Sequence, residues 1–91
     1  MAQQAIMIVT GRVQGVCFRA YTQQKAQELG VAGYVRNLPD GNVEIVAEGN
    51  SDAIDALRQW AHTGSPSARV DNVACEYPDA ADAYKQFEIR R

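Results

Sequence analysis

The chain has 91 residues, enough for one small domain spanning 1–91 that hides roughly 60–65% of its unfolded surface. Its apolar share of 46% is that of a globular protein, and no apolar run nears the roughly 20 residues that cross a bilayer. A net charge of −2 argues against general nucleic-acid binding.

The apolar stretch Ala5 to Val9 is too short for a signal-peptide core and has no Lys or Arg ahead of it. A cytoplasmic protein is therefore expected, and no membrane partner. Arg12, Arg19 and Lys25 all precede the first acidic residue, Glu28. That positive opening in an acidic chain suits a small anion better than a polyanion. Cys17, Cys75 and His62 make no recognisable zinc set. Spacing does not say whether the two cysteines meet.

Residues 5–13 are rich in Ile and Val, with Met7 and Val9 on one face and Ile6 and Ile8 on the other. They read as a central strand buried on both sides. Gly11 and Gly15 break that pattern. From Phe18 the spacing turns helical, through Thr22, Ala26 and Leu29, with Gly30 at the C-cap. Val31 to Leu38 reads as a second strand and Val43 to Glu48 as a third, joined by the turn Pro39-Asp40-Gly41. The alternating Glu44 and Glu48 read as the solvent side of that third strand.

Ser51 is the expected N-cap of a second helix, with Asp52 and Asp55 complementing its positive end. Ala53, Ile54, Leu57, Trp60 and Ala61 form its apolar stripe, and Gly64 and Pro66 end it. Residues 68–77 read as a fourth strand whose apolar phase slips between Val70 and Val73, the mark of a bulge. A short acidic loop follows, then a last strand in which Phe87 and Ile89 alternate with Glu88 and Arg90. Trp60 and Tyr34 read as core or half-core residues, and His62 as a surface or helix-end residue.

The order predicts an α+β, ferredoxin-like βαββαβ sandwich. Two helices would cover one face of an antiparallel sheet, with an extra C-terminal strand. Such a fold hosts many functions, so the chemistry must come from particular residues.

The segment Gly11-Arg12-Val13-Gln14-Gly15-Val16-Cys17-Phe18-Arg19 joins the first strand to the first helix. A helix N-terminus offers unpaired N–H groups and partial positive charge. A glycine lets those groups converge, and Arg19 can add a two-pronged grip on an oxyanion. On loop geometry alone an ordinary tight turn, with Arg19 on a solvated face, remains the simpler reading. Asn37 ends the second strand beside the turn, where an Asn satisfying local backbone is again the simpler reading. This fold allows both features to lie along one edge of the sheet, a placement that sequence alone does not demonstrate.

Residues 11–19, read as Gly-x-Val-Gln-Gly-Val-x-Phe-Arg, resemble the signature of the acylphosphatase family. Gly33-Tyr34-Val35-Arg36-Asn37, followed by Gly41-x-Val-Glu-Ile-Val-Ala-x-Gly49, resembles its second pattern. Gly64-Ser65-Pro66, Ala68-Arg69-Val70 and Phe87-Glu88-Ile89-Arg90 extend the likeness from about residue 6 to the end of the sequence. The resemblance implies the same ferredoxin-like fold and the hydrolysis of acyl phosphates to a carboxylate and inorganic phosphate. It implies that the backbone of Gly15, Val16, Cys17, Phe18 and Arg19, with the Arg19 guanidinium, binds the phosphoryl group. It further implies that the Asn37 amide holds the attacking water, with no metal, cofactor or phosphoenzyme. A monomer acting on a small acyl phosphate is expected, with inorganic phosphate as product or inhibitor.

Other chemistries fit less well. Cys17 and Arg19 are too close for a cysteine-phosphatase loop. A Ser-His-Asp triad would have to recruit the lone His62, which no nucleophile elbow precedes. RNA-recognition domains share this element order but carry aromatics on their central strands, whereas Val43-Glu44-Ile45-Val46-Ala47-Glu48 has none. The remaining alternative is a non-catalytic binding or regulatory domain, or a carbamoyl-phosphate-handling module of a larger enzyme.

Overall fold

The computed structural model describes residues 3–79 and 83–91. The elements are β1 (Gln3–Arg12), α1 (Phe18–Leu29), β2 (Ala32–Asn37), β3 (Val43–Gly49), α2 (Ser51–Ala61), β4 (Arg69–Glu76) and β5 (Phe87–Arg90). The strands form one sheet in the order β4-β1-β3-β2-β5. The ferredoxin-like βαββαβ arrangement predicted from the element order is thus present, with β5 added at the β2 edge. The acidic loop expected after β4 includes residues 80–82, which lie outside the described residues. No helix among the described residues is long and apolar enough to cross a membrane.

Both helices lie on one face of the sheet. α1 rests on β2 and β5, and α2 rests on β1, β3 and β4. Phe18, Thr22 and Ala26 are the buried residues of α1, and Ile54, Leu57 and Ala61 those of α2, as the three-and-four spacing requires. They meet Ala5, Met7, Val9, Val35, Val43, Ile45, Ala47 and Phe87 in one core. Strand β1 is inner but covered on one face only. Ala5, Met7 and Val9 are buried, while Ile6 and Ile8 are half-exposed. The continuous apolar run had implied burial on both faces; no helix covers the second.

The bulge expected in β4 is present. Thr10 faces Asn72 but Gly11 faces Val70, which leaves Asp71 as the extra residue. The N-cap of α2 is Asn50 and not Ser51: Asn50 Oδ1 accepts from the Ala53 N–H at 2.9 Å. Both residue types cap well, and the one whose backbone stays extended (φ −74°, ψ 157°) takes the role.

The sheet is mixed, not wholly antiparallel, because β5 runs parallel to β2. After β4 the chain returns past β1, β3 and β2 and enters β5 at the end where β2 begins, Gly33 facing Phe87. On the way Ala83 and Tyr84 cross the face opposite the helices. Their N–H groups donate to Glu48 Oε1 at 3.0 and 3.3 Å, and Gln4 Nε2 donates to Glu48 Oε2 at 3.2 Å. Glu48 is therefore buried, at 5% exposure, and not on the solvent side as its alternation had implied. Glu44 is half-buried beside it in the sheet, accepting from Arg36 Nε at 2.7 Å and the Tyr34 hydroxyl at 3.1 Å. The Tyr34 phenol is pushed above its ordinary pKa, first by burial and then by the charge and hydrogen bond of Glu44. Tyr84 meets the Tyr34 ring edge-on at 5.9 Å, and the Arg90 guanidinium sits 4.1 Å from the centre of that ring.

Candidate active site

The two segments singled out in the sequence meet at one end of the sheet. Val13, Gly15, Cys17, Arg19 and Asn37, together with Ile89 of β5, line a cavity of about 360 Å³. The β1–α1 loop forms one wall. Asn37, the last residue of β2, and Ile89 form the other.

The loop curls because two of its residues lie in the left-handed region, Gly15 at φ 73° and Cys17 at φ 61°. A Cβ on Gly15 would meet no protein atom within 4 Å. Backbone conformation, not crowding, is what asks for glycine there. Cys17 is the only non-glycine residue with positive φ among those described, a conformation that costs of order 1 kcal/mol or more and persists only where its surroundings impose it. Left-handed residues of this kind are what let successive backbone N–H groups of a loop converge on one point.

Helix α1 starts there without a side-chain cap and without an acid in its first turn. Its leading N–H groups therefore keep their partial positive charge for whatever occupies the cavity. The Arg19 guanidinium joins the same wall, and its Nη1 donates to the Arg90 carbonyl at 3.1 Å. That bond fixes the side chain against β5 while leaving other donors of the planar fork free. Such a set of N–H groups and one guanidinium is chemically suited to a tetrahedral oxyanion.

Two buried side chains hold the loop from behind. Phe18, 1% exposed, packs against Trp60 with ring centres 5.6 Å apart. Gly64 passes so close that a Cβ would come within 2.5 Å of the Phe18 ring. Ser65, 2% exposed, donates its hydroxyl to the Val16 carbonyl at 2.7 Å. Val16 is thus part of the loop but faces inward and does not line the cavity. In the sequence Ser65 stands out only as part of the family-like Gly64-Ser65-Pro66. Its partner lies 49 residues away, and nothing local in the sequence signals it. The same is true of the Arg90 carbonyl.

Asn37 Oδ1 is buried and has no hydrogen-bond partner among the described residues. A buried polar atom is normally satisfied, so the unpartnered Oδ1 marks Asn37, a residue of the cavity wall, as one whose acceptor is unused among the described residues. Of the three early cations, only Arg19 lines the cavity. Arg12 ends β1 opposite Arg69, and Lys25 pairs with Glu28 at 3.7 Å. The positive opening of the sequence therefore does not gather as a patch at the site. Cys17 and Cys75 are both free thiols, Cys17 exposed and Cys75 half-buried. His62 is an exposed residue at the C-cap of α2. No group of three or more His, Cys, Asp or Glu side chains gathers among the described residues.

The sequence model of the acylphosphatase family matches residues 5–89. The acylphosphatase of Rubrobacter xylanophilus is 52% identical over 82 residues, covering 90% of this chain and 74% of that protein. That of Anaeromyxobacter dehalogenans is 51% identical over 87 residues, covering 96% and 94%. The crystal structure of acylphosphatase from Bacillus subtilis superposes with a TM-score of 0.94 at 36% identity, each chain covered in full. On the family match, the identity across nearly its whole length and the shared architecture, this chain belongs to the acylphosphatase family and is a hydrolase of acyl phosphates.

Proposed function

We propose that the protein hydrolyses acyl phosphates by direct attack of a water molecule held by Asn37. The phosphoryl group is bound by Arg19 and the Gly15–Arg19 backbone, that is, by Gly15, Val16, Cys17, Phe18 and Arg19. The observation that carries this reading is the shared cavity, with Asn37, whose Oδ1 has no partner among the described residues, on one wall and the uncapped helix end with Arg19 on the other.

The chemistry asks for little more. An acyl phosphate is a mixed anhydride whose leaving carboxylate has a conjugate acid of pKa about 4. It departs without being protonated, so no general acid is required. The difficulty is the negative phosphoryl group, which repels a nucleophile and must be held in line with it. Phosphoryl transfer is chiefly positioning and charge stabilisation. The N–H groups and the guanidinium take up the charge on the equatorial oxygens. Asn37 Oδ1 accepts one hydrogen of the water and leaves a lone pair directed at phosphorus. A bond forms between the water oxygen and phosphorus, the acyl oxygen–phosphorus bond breaks, and the carboxylate leaves. A phosphate oxygen of the substrate takes the water proton.

On this reading residues 1–91 act as a single catalytic domain, a cytoplasmic monomer that needs neither metal nor nucleic-acid or membrane partner. Purified protein is expected to hydrolyse benzoyl phosphate in the presence of EDTA. Asn37→Ala is expected to lower kcat about a hundredfold, because misplacing a nucleophile by about 1 Å costs that much. Inhibition by inorganic phosphate should hardly change. If phosphate inhibition weakens as much as turnover, Asn37 is a phosphate ligand and the assignment of the water is wrong.

A further inference from the structure

We propose that Gln14 is a positioning residue that sets the distance between the phosphate cradle and the water-holding amide. The proposal rests on the reading of Asn37 given above. The two walls of the cavity have no strand ladder in common. The loop follows β1 and Asn37 ends β2, and β3 lies between them in the sheet. Gln14, immediately before Gly15, bridges that gap. Its Nε2 donates to the Leu38 carbonyl at 2.8 Å and to the Asn42 carbonyl at 2.9 Å. Both hydrogens of one amide thus span the neck of the β2–β3 turn. These are the hydrogen bonds that join loop to turn among the described residues.

The turn is already rigid within itself. Leu38 N–H donates to Asn42 O at 2.8 Å, Gly41 N–H to Leu38 O at 3.1 Å, and Asn42 N–H to Asp40 Oδ1 at 3.0 Å. Gln14 is therefore not needed to form the turn. Its bonds fix where the finished turn stands relative to the loop, and Leu38 is the residue next to Asn37. Removing the two donors leaves the cradle and the turn each intact but gives them a small freedom to shift, limited by the Arg19–Arg90 bond and the ladders through β3. Water and phosphorus must meet in line, so that freedom is felt in the chemical step and not in phosphate binding.

The test is a double-mutant cycle of Gln14→Met, which keeps length and volume without donors, with Asn37→Ala. Benzoyl phosphate serves as substrate, inorganic phosphate as inhibitor, and urea unfolding establishes that each variant is folded in the assay. Gln14→Met is expected to lower kcat about tenfold or more with the phosphate inhibition constant changed less than about twofold. Added to Asn37→Ala it should cost almost nothing further, because the group it positions is gone. Should Gln14→Met not fold, Gln14→Leu, which loses the donors without adding charge, takes its place. Normal kcat, full multiplicative loss on top of Asn37→Ala, or phosphate affinity that falls in step with kcat would each overturn the proposal. Near-normal turnover in Asn37→Ala alone would instead remove the underlying reading of Asn37. A crippled Asn37→Ala beside an unaffected Gln14→Met would remove only the role of Gln14.

Discussion

The two helices begin in opposite ways. At α2, Asn50 caps the Ala53 N–H at 2.9 Å and Asp52 adds negative charge in the first turn. At α1, Cys17 stands in a left-handed conformation, makes no side-chain cap, and is followed by no acid in the first turn. One end is satisfied by its own chain. The other keeps its donors open, has Arg19 in the same wall, and faces Asn37, whose Oδ1 has no partner among the described residues, across a cavity. An open helix end taken alone carries little meaning. What separates the two here is the convergence of a cation and a neutral acceptor on one of them.

That contrast can be broken at its strongest point by Arg19→Ala. Turnover of benzoyl phosphate should fall about a thousandfold or more, in line with other arginines that stabilise a transferring phosphoryl group. Near-normal kinetics would place the binding energy elsewhere. Cys17→Asp adds a negative charge to the open end, in a left-handed conformation. The carboxylate should repel phosphate by roughly 1–4 kcal/mol at about 4 Å, weakening phosphate inhibition at least about tenfold. The same charge should stabilise the helix end by about 0.3–1 kcal/mol. A variant that loses activity and melts higher supports the contrast; unchanged inhibition counts against it.

At the other helix the balance reverses. Asn50→Ala should cost about 1 kcal/mol, lowering Tm by roughly 4–8 °C for a domain of this size, with kcat unaltered. Loss of turnover in folded protein would show that the two ends are not independent. The smallest effect concerns Asp55, whose carboxyl is held below its ordinary pKa, first by the hydrogen bond from Arg58. A group depressed in the folded state adds stability above its unfolded value, and that stability is lost as pH falls through the folded value. Arg58→Ala should therefore lessen the dependence of the urea midpoint on pH below about 4, and leave the neutral range nearly unchanged because the pair is exposed.

Elements governed by local chemistry were legible in the sequence. The three-and-four spacing of Phe18, Thr22 and Ala26, the Gly30 cap and the slipped phase around Asp71 all correspond to what the fold contains. Features set by distant chain were not. Glu48 alternates as a solvent residue does, and only the return of Ala83 and Tyr84 across the open face buries it. The same return makes β5 parallel to β2. Asn50 and Ser51 are adjacent residues of equal capping ability, so composition could not choose between them. At the site, Gly15, Arg19 and Asn37 stood out through the family resemblance, whereas local chemistry alone favoured an ordinary turn and a turn-side Asn. Gln14 and Ser65 act through carbonyls 24 and 49 residues away, and a carbonyl leaves no trace in a sequence.

The bond from Arg19 to the Arg90 carbonyl has a consequence for synthesis. A chain growing from its N-terminus exposes the cradle residues and Asn37 while β5 is still unmade. The guanidinium then has no strand to lean on, and the cavity lacks the Ile89 side of its wall. The cavity wall is therefore complete only once the segment through residue 90 has left the ribosome and closed onto β2.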